Sequence, residues 1–465
     1  MKASDPLDEL NRLNEASEDA TNLTDLGNAQ RLVADHGDDI RYCPVWKSWL
    51  VWDGLRWRRD DDGELVRRAA TTVRRMFEAA WGLPDKERKK AAAWSMRSES
   101  AARIEAMIKL ARAWPGVPIV PDKLDADPWL LNCQNGAIDL RTGELLEHDR
   151  DHFCTKLTPI DYDPDAECPV FEAFLERIFA EVVAIIDFLQ RALGYSITGS
   201  TAEQCFFINH GGGANGKSTL LSIILNVLGE YSQSAAADLL LTRSSGGARN
   251  DVARLHGARF VCVSEIAANR KLAEGLLKEI TGGDAVTARF LFQEEFDFHP
   301  VAKLWIGTNH LPKIQGIDDG IWRRIRLVPF EVTIPENERD GGLPQKLQAE
   351  AEGILAWLVQ GCLDWQAEGL NPPSKVTMAT NAYRRAEDIL TDFLDEHTER
   401  DPFAETPIAD LFSRYVDWAE EAHVKVMSKI AFGRELGDRG FEGFSGTGHV
   451  AMRRGLRLRD MTTGK

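Results

Sequence analysis

A glycine-rich segment followed by lysine and serine carries the clearest chemical signal in the sequence. It lies between an apolar run at 205–209 and an apolar helical pattern at 219–228, and its members are Gly211, Gly213, Ala214, Asn215, Gly216, Lys217, Ser218 and Thr219. Glycines let backbone N–H groups wrap phosphates, and a helix N-terminus adds partial positive charge. Lys217 can bridge the terminal phosphates, and Ser218 can ligate Mg²⁺. We therefore predict a strand–loop–helix site of the P-loop type for ATP and Mg²⁺, the alternative being an ordinary glycine-rich turn.

A second apolar run ends in an acidic residue after this loop. Residues 259–263 are followed by Ser264 and Glu265. A nucleotide hydrolase needs an acid on a neighbouring strand to polarise the attacking water and to hold water on the metal. We predict Glu265 for this catalytic role. Apolar runs also end in Glu by accident, so the prediction depends on the position of Glu265 after the loop.

Two further polar signals follow. Asn309 ends a third apolar run, 303–308, and its amide could orient the water or sense the γ-phosphate. Arg323 and Arg324 then precede the run 325–330, and an arginine on a subunit edge could neutralise transition-state charge in a neighbouring subunit. The alternatives are a strand-ending turn for Asn309 and surface ion pairs for the arginines.

The elements that must position these residues form an α/β pattern, because short apolar runs alternate with helical stretches from about residue 204 onward. Before them, Asp53-Gly54 lies between two short β-like runs and predicts a hairpin. After residue 330 the pattern is helical, and the end of the chain reads as two helices followed by short strands. We predict five segments: an acidic lead-in (1–30), an α+β domain (31–169), the core (170–335), a helical linker (336–400) and a basic terminal domain (401–465).

Two predicted helices near the start, 64–81 and 85–113, form the first local concentration of positive charge. Their basic residues are Arg67, Arg68, Arg74, Arg75, Lys86, Arg88, Lys89, Lys90, Arg97, Arg103 and Lys109. Such a cluster is either a solvated helix face balanced by acids or a contact surface for DNA. The sequence leaves both interpretations open.

Composition limits the classes of function. The 465 residues carry a formal net charge of −17, which argues against a protein that binds nucleic acid over its whole surface. Any such contact must be local, as in a ring with an acidic exterior and a basic bore. The sequence has no apolar run of the ~18 residues that cross a bilayer and no apolar leader, so we expect a cytoplasmic protein without a membrane partner. Its seven cysteines contain no Cys-x-x-Cys pair and are expected to be reduced, mostly buried thiols.

The ordered motifs resemble those of superfamily 3 helicases, in particular the phage and plasmid primase–helicase branch that includes the poxvirus primase–helicase. The resemblance rests on the loop at 211–218, Ser264-Glu265, the 278–284 segment with Arg289, the run 303–309 and Trp322-Arg323-Arg324. The segments 52–54, 135–140 and 162–164 are similar to the domain that precedes the helicase in this family. The end of the chain resembles its winged helix, so the likeness covers the chain from about residue 31.

The resemblance implies an AAA+-like core that forms a homo-oligomer, most simply a hexamer, around single-stranded or forked DNA. Lys217, Ser218, Glu265 and Asn309 would belong to the ATP site, and Arg324 would act across the subunit interface. Residues 284–300 would form a hairpin in the bore. The candidate contacts with the DNA strand in the bore are Lys278, Arg289 and Lys303. The candidate DNA contacts in the tail are Arg453 and Arg454.

Two departures from the family pattern are relevant. The broader superfamily has two acids at the end of the second motif, whereas Ser264 precedes Glu265 here. Magnesium would then rest mainly on Ser218 and water. The roughly 30 residues before the first domain are too few for a primase domain, so we expect priming by a separate primase or polymerase. The resulting hypothesis is an ATP-dependent replicative DNA helicase, and the alternatives are a replication initiator or a protein remodeller whose ATPase drives assembly.

Overall fold

The first part of the chain combines antiparallel sheets with a small group of helices. The computed structural model describes residues 22–242, 250–289, 295–314, 319–422 and 424–459. The elements are α1 (Asp25–His36), β1 (Ile40–Cys43), β2 (Ser48–Trp52), β3 (Trp57–Arg59), α2 (Glu64–Ala79), α3 (Asp85–Ser98), α4 (Ala101–Ala111), β4 (Leu130–Cys133), β5 (Gly136–Asp139) and β6 (Glu144–Leu146). Strands β1 to β3 form one antiparallel sheet and β4 to β6 another.

The predicted hairpin at Asp53-Gly54 is confirmed. Trp52 of β2 pairs with Trp57 of β3, and the Asp53 carboxylate accepts hydrogen bonds from the backbone N–H groups of Leu55 and Arg56 at 2.9 Å. This side-chain cap of the turn is a role for which aspartate is well suited. The hairpin therefore forms for the local reason that the sequence indicates.

A parallel five-stranded sheet lies at the centre of the chain. Its elements and neighbours are α5 (Pro169–Ile178), α6 (Val183–Ser196), β7 (Phe206–His210), α7 (Lys217–Leu228), β8 (Ser232–Ala235), α8 (Asn250–Ala253), β9 (Phe260–Ser264), α9 (Glu274–Gly282), β10 (Val286–Ala288), β11 (Phe296–Phe298), β12 (Lys303–Thr308), α10 (Asp319–Trp322) and β13 (Ile325–Pro329). The strand order is β13-β7-β12-β9-β8, with every pair parallel. The predicted α/β class is confirmed.

Both faces of this sheet are buried, which explains why its strands are almost continuously apolar. On one face, Phe207 stacks on Trp305 with ring centroids 4.1 Å apart, in a cluster that includes residues of α6 and α7. On the other face, Ile208 and Ile306 pack with residues of α9 and of the β10–β11 pair. Parallel order places the carboxyl ends of all five strands at one edge, where α7 begins.

The last part of the chain is helical and then antiparallel. Its elements are α11 (Leu343–Ala349), α12 (Ala351–Glu368), α13 (Ser374–Glu387), α14 (Ile389–His397), β14 (Thr398–Pro407), α15 (Ile408–Glu421), α16 (Lys429–Asp438), β15 (Gly443–Ser445) and β16 (Ala451–Leu458). Strand β16 lies between β14 and β15. Phe393 of α14 belongs to the same buried cluster as Tyr415, Phe432 and Leu456, so the core of the tail reaches back into α14.

Some predicted elements differ in their bounds. Helices α5 and α6 are separated by a break where Ala180 and Glu181 adopt left-handed φ angles of 51° and 61°. The predicted helix 85–113 is two helices, α3 and α4, and the predictions did not include strand β14. Among the described residues, no helix has the length and apolarity needed to cross a membrane.

Candidate anion-binding site

The loop between β7 and α7 has a backbone that requires glycine at particular positions. Gly213 and Gly216 have φ angles of 103° and 84°. A Cβ at Gly216 would lie 2.6 Å from the Ile178 side chain, and a Cβ at Gly211 would lie 2.1 Å from the Phe330 carbonyl oxygen. Side chains at these positions would collide or adopt a strained backbone. The glycines predicted from the sequence therefore shape this loop.

Lys217 is the first residue of α7 and is only 6% exposed. Its Nζ donates hydrogen bonds to the Gly211 carbonyl at 2.9 Å, to Asn215 Oδ1 at 2.9 Å and to Asn309 Oδ1 at 3.0 Å. All three acceptors are neutral, and burial lowers the pKa of Lys217 with no carboxylate to oppose it. A buried ammonium with no counter-ion among the described residues, at the positive end of a helix, is suited to an anionic ligand.

The ends of neighbouring strands complete the site. Asn309 follows β12, the strand between β7 and β9, and contacts Lys217 directly. Glu265 follows β9; it is exposed and has a left-handed φ of 61°, and its N–H donates to the Gly307 carbonyl at 2.9 Å. The structure thus brings Lys217 and Asn309 into contact and places Glu265 at the same edge of the sheet.

The remaining residues of the loop have distinct surroundings. Asn215 is buried and donates from Nδ2 to the Phe330 carbonyl at 3.2 Å, and the Ala214 carbonyl accepts from the Ile334 N–H at 2.8 Å. Ser218 is exposed in the first turn of α7, and Thr219 is half-buried. The segment after β13 therefore holds the loop in place through these two hydrogen bonds. The Ser218 hydroxyl remains accessible to a ligand or a metal ion.

His210 is a neighbour of the site that sequence analysis missed. It ends β7, is half-buried, and has a lowered pKa because of its burial and the nearby charge of Lys217. A neutral imidazole is therefore favoured beside the ammonium. Its position immediately before Gly211 was the available signal, but a histidine at the end of a strand has no chemical meaning until its neighbours are known.

Arg324 lies at the opposite edge of the sheet from this site. It precedes β13, whose first residue pairs with Phe206 at the start of β7. Arg324 is buried, and its guanidinium donates to Thr281 Oγ1 at 3.1 Å and to the Gly320 carbonyl at 2.5 Å. Because β7 has five residues, about 15 Å separates the two edges, so Arg324 cannot reach the Lys217 site of its own chain.

The neighbouring arginine is in a different environment. Arg323 is exposed, and its Nη2 donates to Gln204 Oε1 at 3.1 Å. Within the described residues it forms no ion pair with an acid, so its guanidinium remains available at the surface. The sequence identified the arginine pair, but it could not show which member is buried, because both precede the same strand.

The structure corrects the candidate DNA contact at Lys303. This lysine is 1% exposed, and its Nζ donates to three carbonyl groups, those of Thr198, Ser200 and Val301. A side chain held in this way cannot contact a nucleic acid. The prediction for Lys303 was wrong because its side chain points inward, where the ammonium binds backbone carbonyl oxygens instead of facing solvent.

The predicted hairpin at 284–300 is present as paired strands. Val286 pairs with Phe298 and Ala288 with Phe296 in antiparallel register. Arg289 is exposed at the end of β10, with Glu295 4.0 Å away, and residues 290–294 lie outside the described residues. Lys278 is half-buried on α9. The contact between Arg289 and DNA stays a prediction.

The two candidate arginines of the tail differ from each other. Arg453 is half-buried, and its guanidinium donates to the Gly433 and Phe441 carbonyls. Arg454 is exposed, with acidic partners at Glu405 and Glu442 and with its guanidinium carbon 4.8 Å from the Phe444 ring centroid. Arg453 therefore joins α16 to β16 by backbone contacts, and Arg454 is the more accessible of the two.

Known families and proteins resemble different portions of the chain. The family described as D5 N terminal like matches residues 29–180, and a family of unknown function matches residues 209–324. A protein of Acanthamoeba polyphaga mimivirus, provisionally named as a helicase, is 29% identical over 320 residues, covering 63% of this chain and 33% of that protein. An African swine fever virus protein, provisionally named as a primase, is 27% identical over 337 residues, covering 66% of this chain and 35% of its own. The chain is therefore similar to viral proteins that are named as helicases and primases.

The chain spans about a third of the length of these curated relatives. A further relative, from Frog virus 3 and also provisionally named as a helicase, is 28% identical over 266 residues, with 53% of this chain and 27% of the relative covered. The apo structure of the NrS-1 C-terminal region has a similar fold, with a TM-score of 0.52 and 12% identity, covering 90% of this chain and 96% of that one. At this identity the likeness supports the fold alone.

Proposed function

We propose that the chain is an ATP-hydrolysing DNA motor that unwinds duplex DNA during replication. The observation that carries the proposal is the buried ammonium of Lys217, which has three neutral acceptors and lies at the N-terminus of α7 beneath a glycine-shaped loop. A phosphate chain would supply an anionic partner for this ammonium, which has none among the described residues. The helicase names of the viral relatives support a motor over a simple phosphate-binding protein.

The neighbouring residues fit separate roles in nucleotide hydrolysis. Mg²⁺ would be held by the exposed hydroxyl of Ser218 and would neutralise phosphate charge when bound. Glu265 would accept a proton from the attacking water, since it is exposed at the edge where Lys217 and Asn309 meet. Asn309 would orient that water or sense the terminal phosphate through the same amide that contacts Lys217.

The arginine pair supports a proposal of assembly. An arginine about 15 Å from its own site can take part in catalysis only in the site of another subunit. Arg323 is the better candidate for this role than Arg324, because Arg323 is exposed and Arg324 is bonded to Thr281 of its own chain. We propose a ring of identical chains, most simply a hexamer, in which the arginine edge of one chain faces the Lys217 edge of the next.

The tail and the β10–β11 hairpin are the proposed DNA-contacting elements of the motor. Helices α15 and α16 pack on the sheet of β14, β16 and β15, an arrangement that resembles a winged helix. The exposed face of α16 carries Lys429 and Arg434. These cations can contact phosphates, and Arg289 at the hairpin can contact the strand in the bore.

One experiment tests the motor proposal against its alternatives. The full chain is incubated with a forked duplex in the presence or absence of ATP·Mg²⁺, and strand separation and phosphate release are followed together. ATP-dependent strand separation with DNA-stimulated hydrolysis is the expected result. Hydrolysis without strand separation would favour a replication initiator, and hydrolysis that DNA does not stimulate would favour a protein remodeller.

A further inference from the structure

An exposed aromatic pair projects from the helical group near the start of the chain. Trp81, in the turn after α2, is 69% exposed, and Phe77, in the last turn of α2, is 38% exposed. Their rings meet edge to face, with centroids 6.4 Å apart. Tryptophan is highly buried on average, so two exposed aromatic rings in contact with each other are a candidate contact surface.

The positive charge around this pair is only partly neutralised. The segment 74–90 holds six basic and three acidic residues. Arg75 lies 3.8 Å from Asp35, and Arg88 pairs with Asp85. In contrast, four exposed cations make no ion pair within the described residues: Arg74, Lys86, Lys89 and Lys90. The sequence left open whether acids balance the positive charge of these helices. The structure shows such a balance for Arg75 and Arg88 but not for these four cations.

The helical geometry groups these cations with the aromatic pair. Arg74 precedes Phe77 by three residues, and residues at that spacing are neighbours on a helix surface. On α3, Lys86, Lys89 and Lys90 lie on the side away from the buried Ala91 and Ser95. The turn between the helices is short, so the Cα atoms of Trp81 and Lys86 are at most about 18 Å apart. We call Arg74, Phe77, Trp81, Lys86, Lys89 and Lys90 the Trp81 patch.

We propose that the Trp81 patch binds single-stranded DNA, with bases stacked on Trp81 and Phe77 and with phosphates against the surrounding cations. Stacking platforms bordered by basic residues bind single strands with little sequence preference. Unpaired cations in a chain of net charge −17 indicate a polyanionic partner and not an apolar protein surface. The patch lies in the segment related to the D5 N terminal like family, outside the Lys217 site, and it does not depend on ATP hydrolysis.

The proposal is tested first by binding to the full chain without nucleotide. Fluorescence anisotropy with a labelled oligothymidylate compares wild type with Trp81→Ala, with Lys86→Ala/Lys89→Ala/Lys90→Ala, and with Lys109→Ala as an exposed-lysine control on α4. Trp81→Ala should weaken binding about five-fold or more, as expected for the loss of one stacked base. The triple variant should reduce the log–log salt slope by about 2, at ~0.7 per phosphate contact, and the control should bind like wild type.

A crosslink provides a readout that does not depend on how the variants fold. An oligothymidylate that carries a photoreactive base is irradiated on the wild-type chain, which is then digested with trypsin. The expected adduct lies on the peptide 76–86, which holds both Phe77 and Trp81. Adducts confined to other peptides, together with wild-type affinity in both patch variants, would overturn the proposal.

The patch and the motor can fail separately in these experiments. If the patch variants hydrolyse ATP like wild type and bind oligothymidylate unchanged, the proposal for the patch is contradicted and the proposal of a motor is not. Patch-dependent binding in a chain that hydrolyses no ATP would keep the patch and remove the motor. A patch that binds only a protein partner would give no adduct on 76–86 and no change in affinity, which also counts against the proposal.

Discussion

At the scale of single residues, the central feature is a lysine held by neutral oxygens. Burial lowers the pKa of Lys217, so the folded state holds its proton less readily than the unfolded chain. The buried ammonium therefore lowers the free energy of unfolding at pH values below the folded-state pKa of Lys217. This penalty disappears as the pH rises toward the pKa that Lys217 has in the unfolded chain. A group that costs stability without a ligand and has no acidic partner among the described residues fits a functional role better than a structural one.

Glu265→Gln separates nucleotide binding from turnover. The amide keeps the size of the side chain but cannot accept a proton, so we expect nearly unchanged ATP affinity and a turnover rate lower by about 100-fold or more. Calorimetry measures the affinity, and phosphate release measures the rate. Glu279→Gln, an exposed carboxylate change on α9, serves as the control and should leave both unchanged. Wild-type turnover in Glu265→Gln would show that another group is the base.

The sequence predicted the members of the site better than their surroundings. Residue type and order were enough for Lys217 and Asn309, because parallel strands bring their carboxyl ends to one edge. The buried state of Lys303 and the contrast between Arg323 and Arg324 depend on which way each side chain turns at the start of a strand. Tertiary packing decides this, so a single sequence does not reveal it.

At the scale of elements, the loop before α7 depends on glycine. Gly216→Ala places a Cβ against Ile178 at a positive φ, so we expect a loss of about 1–3 kcal/mol of unfolding free energy, together with loss of nucleotide binding. The matched control is Gly275→Ala on α9, where an added Cβ meets nothing within 4 Å. It should be neutral or stabilising by up to about 1 kcal/mol. Denaturant titration of both variants measures the difference, and equal stabilities would show that the loop tolerates side chains.

Element types were more predictable than element ends. Apolar runs in the sequence coincide with four strands whose faces are both buried: β7, β9, β12 and β13. The turn between β2 and β3 is explained by the Asp53 side chain that caps it. The break between α5 and α6 depends on left-handed backbone at Ala180 and Glu181, residue types that rarely adopt it. Strand β14 forms because β16, far along the sequence, pairs with it. Neither feature has a local signal.

At the scale of the whole molecule, the distance between the Lys217 site and the arginine pair, Arg323 and Arg324, predicts that each ATP site is shared between two subunits. Arg323→Ala should leave stability and ATP binding unchanged and reduce turnover by about 1,000-fold or more, as for a finger that acts in trans. Arg324→Ala should instead lower the free energy of unfolding by about 1–3 kcal/mol, because it removes buried hydrogen bonds to Thr281 and Gly320. Turnover assays and denaturant titration distinguish the two arginines.

Mixing inactive chains tests the shared site directly. An Arg323→Ala chain retains Lys217, and a Lys217→Ala chain retains Arg323, so some interfaces of a mixed ring combine an intact site with an intact arginine. We expect the mixture to recover part of the ATPase activity that each variant lacks alone. No recovery in chains that demonstrably co-assemble would place the finger elsewhere. Absence of any oligomer with nucleotide and DNA present would contradict the ring.

The most direct measurement of the central claim is ATP·Mg²⁺ binding to wild type and Lys217→Ala by calorimetry, with Lys123→Ala as an exposed-lysine control. Wild type and the control should bind ATP·Mg²⁺ alike. Lys217→Ala should bind at least about ten-fold more weakly, since a charged hydrogen bond to phosphate is lost, while its unfolding free energy stays equal or rises. Equal ATP affinity in wild type and Lys217→Ala, or no binding by a folded wild-type chain, would contradict the account.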